Sequence, residues 1–491
     1  MNLLIDSIKH FSSLHPNKPA IISGGNIINY SELEERITST AAHLVSNIKP
    51  GERIGVLLPN SIEAILAMYA IPLAGGIAVP IDITLHPRNI SYILEDTKSR
   101  FIVTSSPFSD VLEDVNYTIF KLNIDSFPEL YRANIFPNQD PEKTAFIFYT
   151  TGTTGTKKGV ELSHCNLLAS AQNIIEFMAL TPDIVESVPM PLTHSFGFAR
   201  VRCVFGVGGT VIIENGLLRA DHVIASMKQY GANAISSVPA GFAIFLGYYE
   251  SFFKEIAAQI RFIEIGSAFM PIEHKDRLIR LCPNARICMH FGLTEASRAA
   301  FINFRQDYNH INTIGKPSPN VAIEIRDDNG QSVPIGEKGL IWIKGDMVMK
   351  RYWKKPELTF KTLIDGWLNS GDIGALDENG FLHLFGRKKE LINVAGLKIA
   401  PAEIESVLDQ HPNIHETAVI GLPNVNDISN EVIKAYVVLA DGIAELDIQK
   451  LQKFCLQNLE SYKVPQQFDI IESIPKTNSG KVQRQLLEQI E

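Results

Sequence analysis

Tyr149-Thr-Thr-Gly152-Thr-Thr-Gly155-Thr-Lys157-Lys158-Gly159-Val160 follows the apolar run Ala145 to Phe148. The run carries the β-formers Phe146, Ile147 and Phe148 and predicts a buried strand. The stretch after it predicts a loop rich in donors. Glycines let the main chain approach a ligand, threonines add hydroxyls, and two lysines add positive charge, which together make a polyphosphate cradle. A Walker A loop needs a glycine before its lysine and Ser or Thr after it. Here Thr156 precedes Lys157 and Gly159 follows Lys158, so that reading fails.

Residues 20 to 145 alternate strand and helix signals. Ile54 to Leu58 ends at Pro59-Asn60, Ser61 is placed to cap a helix from Ile62 to Ala70, and Ile77 to Ile81 predicts the next strand. Beyond the loop, Ser163 is placed to cap a helix with Leu167, Ala171, Ile174 and Met178 on one face. Strands at 210–213, 234–238, 262–265 and 286–289 then alternate with helices near 221–229, from 240, and near 271–281. This is the grammar of parallel α/β units, in two wound sheets. From residue 320 short strands and glycine turns dominate, including a hairpin signal at Asp377-Glu-Asn-Gly380, and a small β-barrel is expected there. A mixed pattern follows: helix 401–409, strands 416–420 and 431–439, helix 446–459. The expected fold class is therefore α/β: a large N-terminal domain, 1–386, of two wound β/α subdomains plus a small barrel, and a small, mobile α+β C-terminal domain, 387–491.

Composition sets bounds on function. The chain has 491 residues, enough for more than one core, with 45% hydrophobic and 20% charged residues, as in ordinary globular proteins. A net charge of −9 argues against a nucleic-acid surface. Five cysteines without metal-ligand spacing read as free thiols in a reducing compartment. The N-terminus has no sustained apolar segment, so a cytoplasmic protein without membrane insertion is expected.

The glycine- and threonine-rich loop resembles the phosphate loop of the AMP-forming acyl-adenylate superfamily: acyl-CoA synthetases, adenylation domains and luciferases. The resemblance implies that Thr150, Thr151, Gly152, Thr153, Thr154, Gly155 and Lys157 hold the phosphates of ATP. Further motifs match in family order over nearly the whole chain. In His290-Phe-Gly-Leu-Thr-Glu295, after a strand, the family pattern implies that Phe291 stacks on adenine beside Gly292, Thr294 contacts the α-phosphate, and Glu295 binds Mg2+. Phe stands where Tyr is more usual. Gly266-Ser267-Ala268 resembles a second adenine-contacting turn. Ser370-Gly-Asp372 matches the segment whose aspartate accepts both ribose hydroxyls, a task suited to an acceptor-only carboxylate.

Arg387 resembles the arginine that joins Asp372, Lys389 sits at the family's hinge, and Asn393 to Lys398 matches a glycine loop, with Gly396, along the pantetheine tunnel. Lys481, in Ile474-Pro-Lys-Thr-Asn-Ser-Gly480-Lys481, matches the lysine that bridges the substrate carboxylate and the α-phosphate. Adenylation needs such a group because two anions must approach one another. Pro191-Leu-Thr-His194-Ser-Phe-Gly197 resembles the segment whose His borders the acyl pocket. It lacks the aspartate with which amino-acid-activating domains hold an ammonium.

These matches imply a ligase that activates a small carboxylic acid as acyl-adenylate and passes it to a thiol of coenzyme A. The alternative acceptor is the phosphopantetheine of an acyl carrier protein. A luciferase-like oxygenase and a non-catalytic nucleotide-binding module share the motifs. No residue supports oxygen chemistry, and Glu295 and Lys481 argue against mere binding. Arg200, Arg202 and Arg298 leave two readings of the acid open. Either one of them reaches the acyl pocket and pairs with a second polar group on the substrate, or all three face solvent or structural carbonyls.

Overall fold

The computed structural model describes residues 2–126, 136, 140–151, 157–394, 397–424, 427–477 and 480–490. They group into two compact units: Met1–Ile311 with Gly315–Ile323 and Ile343–Leu368, and Asn312–Ile314 with Glu324–Trp342 and Asn369–Glu491.

The first unit holds two wound sheets, as the alternating signals predict. One has nine strands in the spatial order Lys316–Pro317, Ala296–Asn303, Arg286–Leu293, Phe262–Ile265, Ala234–Ser237, Val185–Val188, Thr210–Ile213, Pro19–Ser23 and Asn26–Asn29. Its six central strands, from Arg286–Leu293 to Pro19–Ser23, are parallel. Parallel strands are covered on both faces, and every residue of Phe262–Ile265, Ala234–Ser237 and Thr210–Ile213 is buried. The other sheet has seven, in the order Arg351–Tyr352, Lys157–Ser163, Thr144–Thr151, Ile77–Pro80, Arg53–Val56, Phe101–Thr104 and Phe120–Asn123.

Helix His164–Met178 starts where expected. Ser163 accepts from the Asn166 amide, and the Asn166 side chain accepts in return from the Ser163 backbone, a reciprocal cap. Leu167, Ala171, Ile174 and Met178 are all buried.

The cradle hairpin corrects one expectation. The strand runs through Tyr149, Thr150 and Thr151 and pairs antiparallel with Lys157–Ser163, in register Tyr149↔Gly159, Thr150↔Lys158 and Thr151↔Lys157. β-Branched threonines sustain the ladder, and Gly159 makes room for it. A Cβ on Gly159 would lie 2.8 Å from Ile147 Cγ2 and 3.1 Å from Trp353 Cβ.

Where a barrel was expected, a five-stranded sheet is formed by Ala322–Arg326, Gly339–Lys344, Trp367–Leu376, Leu363–Ile364 and Leu382–Arg387. The predicted hairpin closes it: Leu376 faces Leu382, and Asp377 Oδ1 accepts from the amides of Asn379 and Phe381. Gly380 supplies the left-handed residue, at φ 78°.

In the second unit, Ile414–Asn424, Asp427–Leu439 and Gln467–Ile470 form a sheet. Ile404 and Leu408 of helix Pro401–Leu408 and Leu451 and Cys455 of helix Ile448–Asn458 pack with Val419, Ile433 and Val437 in its core.

Candidate active site

Strand Arg286–Leu293 extends four residues past the predicted end, turns at Thr294-Glu295, and returns as Ala296–Asn303. Leu293 pairs with Ala296, so Thr294 and Glu295 are the two tip residues of a hairpin. Ser195, first residue of helix Ser195–Gly206, brings the His194 segment to that tip: its Oγ is 3.3 Å from Thr294 Oγ1.

The Glu295 carboxylate is held from the cradle side. Tyr352 Oη donates to its Oε1 at 2.7 Å, and the Met349 amide donates to its backbone oxygen at 2.8 Å. Tyr352 in turn pairs with Val160 of the cradle hairpin, and Lys158 Nζ lies 5.5 Å from the centre of the Tyr352 ring. Three sequence-distant motifs thus meet in one place in the first unit.

Asp82, which sequence reasoning missed, lies in the same region. Its Oδ2 is 3.5 Å from His194 Nε2, and its Oδ1 accepts from the Thr84 amide and hydroxyl at 2.8 and 2.7 Å. Burial pushes the Asp82 carboxyl up, but the His194 ring and the Thr84 donors outweigh it and hold the group well below the usual range. Burial lowers the Lys157 ammonium, and Asp82 opposes that shift. The residue's signal was a lone Asp at a strand end in Pro80-Ile-Asp-Ile-Thr84.

Beneath the tip lies a buried ion network. Glu186 and Glu264 sit on strands Val185–Val188 and Phe262–Ile265, with Ala234–Ser237 between them in the sheet, and both are fully buried. Arg200 spans the two, with Nε and Nη2 each 2.7 Å from Glu186 and Nη1 2.7 Å from Glu264. Arg298 Nε is 3.0 Å from Glu264 Oε1, and His290 Nδ1 is 2.7 Å from the same oxygen. Ser236 Oγ donates to Glu186 at 2.6 Å. Two carboxylates and two guanidiniums balance. Burial raises the Glu264 carboxyl, but Arg298, Arg200 and His290 hold it well below the ordinary range. Burial, with Arg298 next, lowers the His290 ring.

The reading of the arginines as facing solvent or carbonyls is therefore corrected for Arg200 and Arg298, whose charges meet buried carboxylates; Arg298 also donates to the Phe196 carbonyl. The other reading, a pocket arginine, fails for Arg200.

The network sets the neighbouring turn. His290 covers Gly266 so closely that a Cβ there would fall 2.0 Å from its Cε1. Gly266 is buried, Ser267 and Ala268 are half-buried, and Ser267 takes the left-handed φ of 78°. Phe291 is half-buried and pairs with Ala300. A Cβ on Gly292 would lie 2.5 Å from the Arg298 nitrogen. Glycine is needed at both positions for packing.

In the second unit, Asp372 and Arg387 face one another across a strand pair, with Arg387 Nε 2.8 Å from Asp372 Oδ1. Asp372 is buried and Arg387 half-exposed. Burial pushes the Asp372 carboxyl up to about 6, against the pull of Arg387 and then Lys481 and with repulsion from Glu390. Lys481 itself is exposed, and its amide donates to Thr477 Oγ1 at 3.2 Å. Gly152, Thr153, Thr154, Gly155 and Gly396 lie outside the described residues, as does the Thr151 side chain.

Glu295 fits a magnesium ion by its chemistry. Mg2+ takes one or two carboxylates plus substrate phosphates rather than an all-protein cage. Tyr352 occupies one oxygen of Glu295. Among the described residues no cluster of three His, Cys, Asp or Glu could hold a metal unaided.

Residues 8–353 match the family model of AMP-binding enzymes, and residues 403–481 match that of the AMP-binding enzyme C-terminal domain. A long-chain-fatty-acid–CoA ligase of Haemophilus influenzae is 31% identical, covering 96% of this chain and 92% of its own. A sulfoacetate–CoA ligase of Cupriavidus necator is 30% identical, covering 96% and 94%. Among solved structures, the o-succinylbenzoate CoA synthetase of Bacillus subtilis with its acyl-adenylate intermediate is similar at a TM-score of 0.88 and 27% identity, over 99% of this chain and 98% of that one. The same enzyme with ATP and magnesium gives 0.86.

Proposed function

The chain belongs to the AMP-binding enzyme family, and on that premise we propose that it joins a carboxylic acid to coenzyme A in two half-reactions. In the first, an oxygen of the acid's carboxylate attacks the α-phosphorus of ATP and pyrophosphate leaves. In the second, the thiol sulfur attacks the acyl carbon, AMP leaves with the bonding electrons, and the thiol proton passes to solvent. The observation that carries this reading is the meeting of Ser195, Thr294, Glu295, Tyr352 and Lys158, because it gathers hydroxyl donors, a carboxylate and a cation where an anhydride would form.

The residues have separate tasks. Thr294 donates to the α-phosphate, Lys157 and the glycine–threonine segment hold the outer phosphates, and Phe291 offers its face to adenine. Asp372 accepts from the ribose hydroxyls while Arg387 keeps the carboxylate oriented. Lys481 offsets the repulsion between carboxylate and α-phosphate, and His194, steadied by Asp82, borders the acid. Glu295 would hold a magnesium ion, which would supply charge neutralisation of the phosphates. We assign these tasks to an N-terminal domain, 1–386, and a C-terminal domain, 387–491, in a cytoplasmic enzyme. Support for that compartment comes from the free cysteines, and no described helix is long and apolar enough to cross a membrane.

Coenzyme A is favoured as acceptor over a carrier protein because the relatives named above are CoA ligases and synthetases. The test incubates the protein with Mg·ATP, an acid panel and either CoA or a phosphopantetheinylated carrier protein. AMP, pyrophosphate and acyl-CoA are expected. ADP release, or thioester on the carrier alone, would overturn the reading.

A further inference from the structure

Helix Ser195–Gly206 buries two arginines of opposite fortunes. Arg200 meets two carboxylates, whereas Arg202, only 4% exposed, leaves Nε and Nη1 without a hydrogen-bond partner. Its guanidinium lies 4.9 Å from the Phe198 ring centre. The titratable groups that act on it are Cys203, Tyr69 and Arg298, none of them a carboxylate, and Arg298 repels it. Burial, with Arg298, lowers its pKa to about 10, so it remains a cation at neutral pH. A dry cation without an acceptor is costly, and such a group persists where something brings the missing anion.

Position says what brings it. Phe198 and Arg202 share one helix face, His194 is the residue that precedes the helix, and helical side chains lean toward the N-terminus. The guanidinium therefore lies over Phe198 on the side of His194, the residue assigned to the acid. His194 and Arg202 are separated by roughly 12 Å of helix axis, at about 1.5 Å per residue. That spacing suits a short or medium acid rather than a long chain. Phe198 packs with Phe146, Phe148 and Tyr69, so the surroundings of the guanidinium are aromatic and offer it no anion of their own.

Resting on the ligase reading, we propose that Arg202 anchors a second, anionic group of the substrate, a carboxylate or sulfonate, so that the enzyme selects acids charged at both ends. Tyr69, 2% exposed, is the polar side chain placed to assist.

The test compares kcat/KM for pyrophosphate release from hexanoate and octanoate with that from adipate, suberate and 6-sulfohexanoate, in wild type, Arg202→Met and Arg202→Lys. The wild type is expected to favour the doubly charged acids at least tenfold. Arg202→Met should cut that ratio by about 10²-fold, chiefly through KM, with Arg202→Lys restoring part of it. The carboxylate and sulfonate arms identify the anion. A wild-type preference for the singly charged acids, or an unchanged ratio in Arg202→Met, overturns the proposal. Absence of pyrophosphate with every acid overturns the ligase reading instead. Should Arg202→Met fail to fold, thermal stabilisation of the wild type decides: stabilisation by adipate and not hexanoate supports the anchor, and equal effects refute it.

Discussion

Replacing Asp372 by Asn should make the protein more stable and a worse enzyme. The carboxyl is buried and sits at about 6, against about 3.9 for an ordinary aspartate. Below pH 4 both folded and unfolded states carry the proton. Between about 4 and 6 the folded state keeps a proton that the unfolded state has lost, so stability falls as pH rises through that window. Two pKa units correspond to roughly 3 kcal/mol lost by pH 7.5. Asn cannot ionise, so the stability difference between variant and wild type should widen by about that amount from pH 4 to pH 7.5. This is a rise in Tm on the order of 5 °C. Arg387, left without its partner, is exposed enough to be hydrated. An amide, however, replaces an acceptor-only group with one that also donates. Losing one charge-assisted bond to ribose costs about 1.5–3 kcal/mol, so KM for ATP should rise roughly 10- to 100-fold. Wild-type kcat/KM for ATP should also fall as pH drops below about 6. The checks are thermal denaturation at stepped pH and ATP kinetics on both proteins. Parallel stability curves, or unchanged ATP affinity, would refute the reasoning.

Lys481→Ala should depress pyrophosphate release by about 10²- to 10³-fold while thioester formation from supplied acyl-adenylate survives; equal loss in both half-reactions, with the fold intact, would remove its assigned task. Tyr352→Phe deletes the donor to Glu295 and should weaken Mg2+ dependence by about tenfold, at roughly 1.5 kcal/mol for a bond to a charged group. Titration of the protein with Mg2+ and ATP by calorimetry reads that loss directly, and an unaltered titration would show Glu295 to be otherwise held. Arg200→Met leaves buried Glu186 without a cation, while Glu264 keeps Arg298, and should lower stability by about 3–5 kcal/mol. Chemical denaturation checks it, and a loss under about 1 kcal/mol, the surface-pair range, would contradict the burial argument.

The wound sheets were legible because their signals are local. Thr210–Ile213 and Phe262–Ile265 are rich in β-branched and aromatic residues, and Ser163 announces its helix three residues from its partner. The cradle strands were hidden by composition, since threonine and glycine suit a loop as well as a ladder. The site partners were hidden by distance along the chain: Asp82 from His194, Tyr352 from Glu295, Glu264 from Arg200. One signal did exist for the ion network. Val185-Glu-Ser-Val188 and Phe262-Ile-Glu-Ile265 each place a carboxylate inside a strand flanked by apolar residues, and a buried acid demands a cation. Arg200 and Arg298 were those cations, and a reading that sought ligands for them overlooked the acids already present.

Four positions on four elements, Glu186, Glu264, Arg200 and Arg298, share one electrical balance. No single replacement preserves it, because losing any one leaves an unmatched charge in a dry interior. Inheritance of this core is therefore closer to that of a single character than of four sites. Lineages should keep the quartet whole or exchange it in concert for apolar residues, with few intermediates surviving. His290 and Gly266 lean on the same quartet and are tied to the same slow clock, while Arg202, outside the balance, is free to drift.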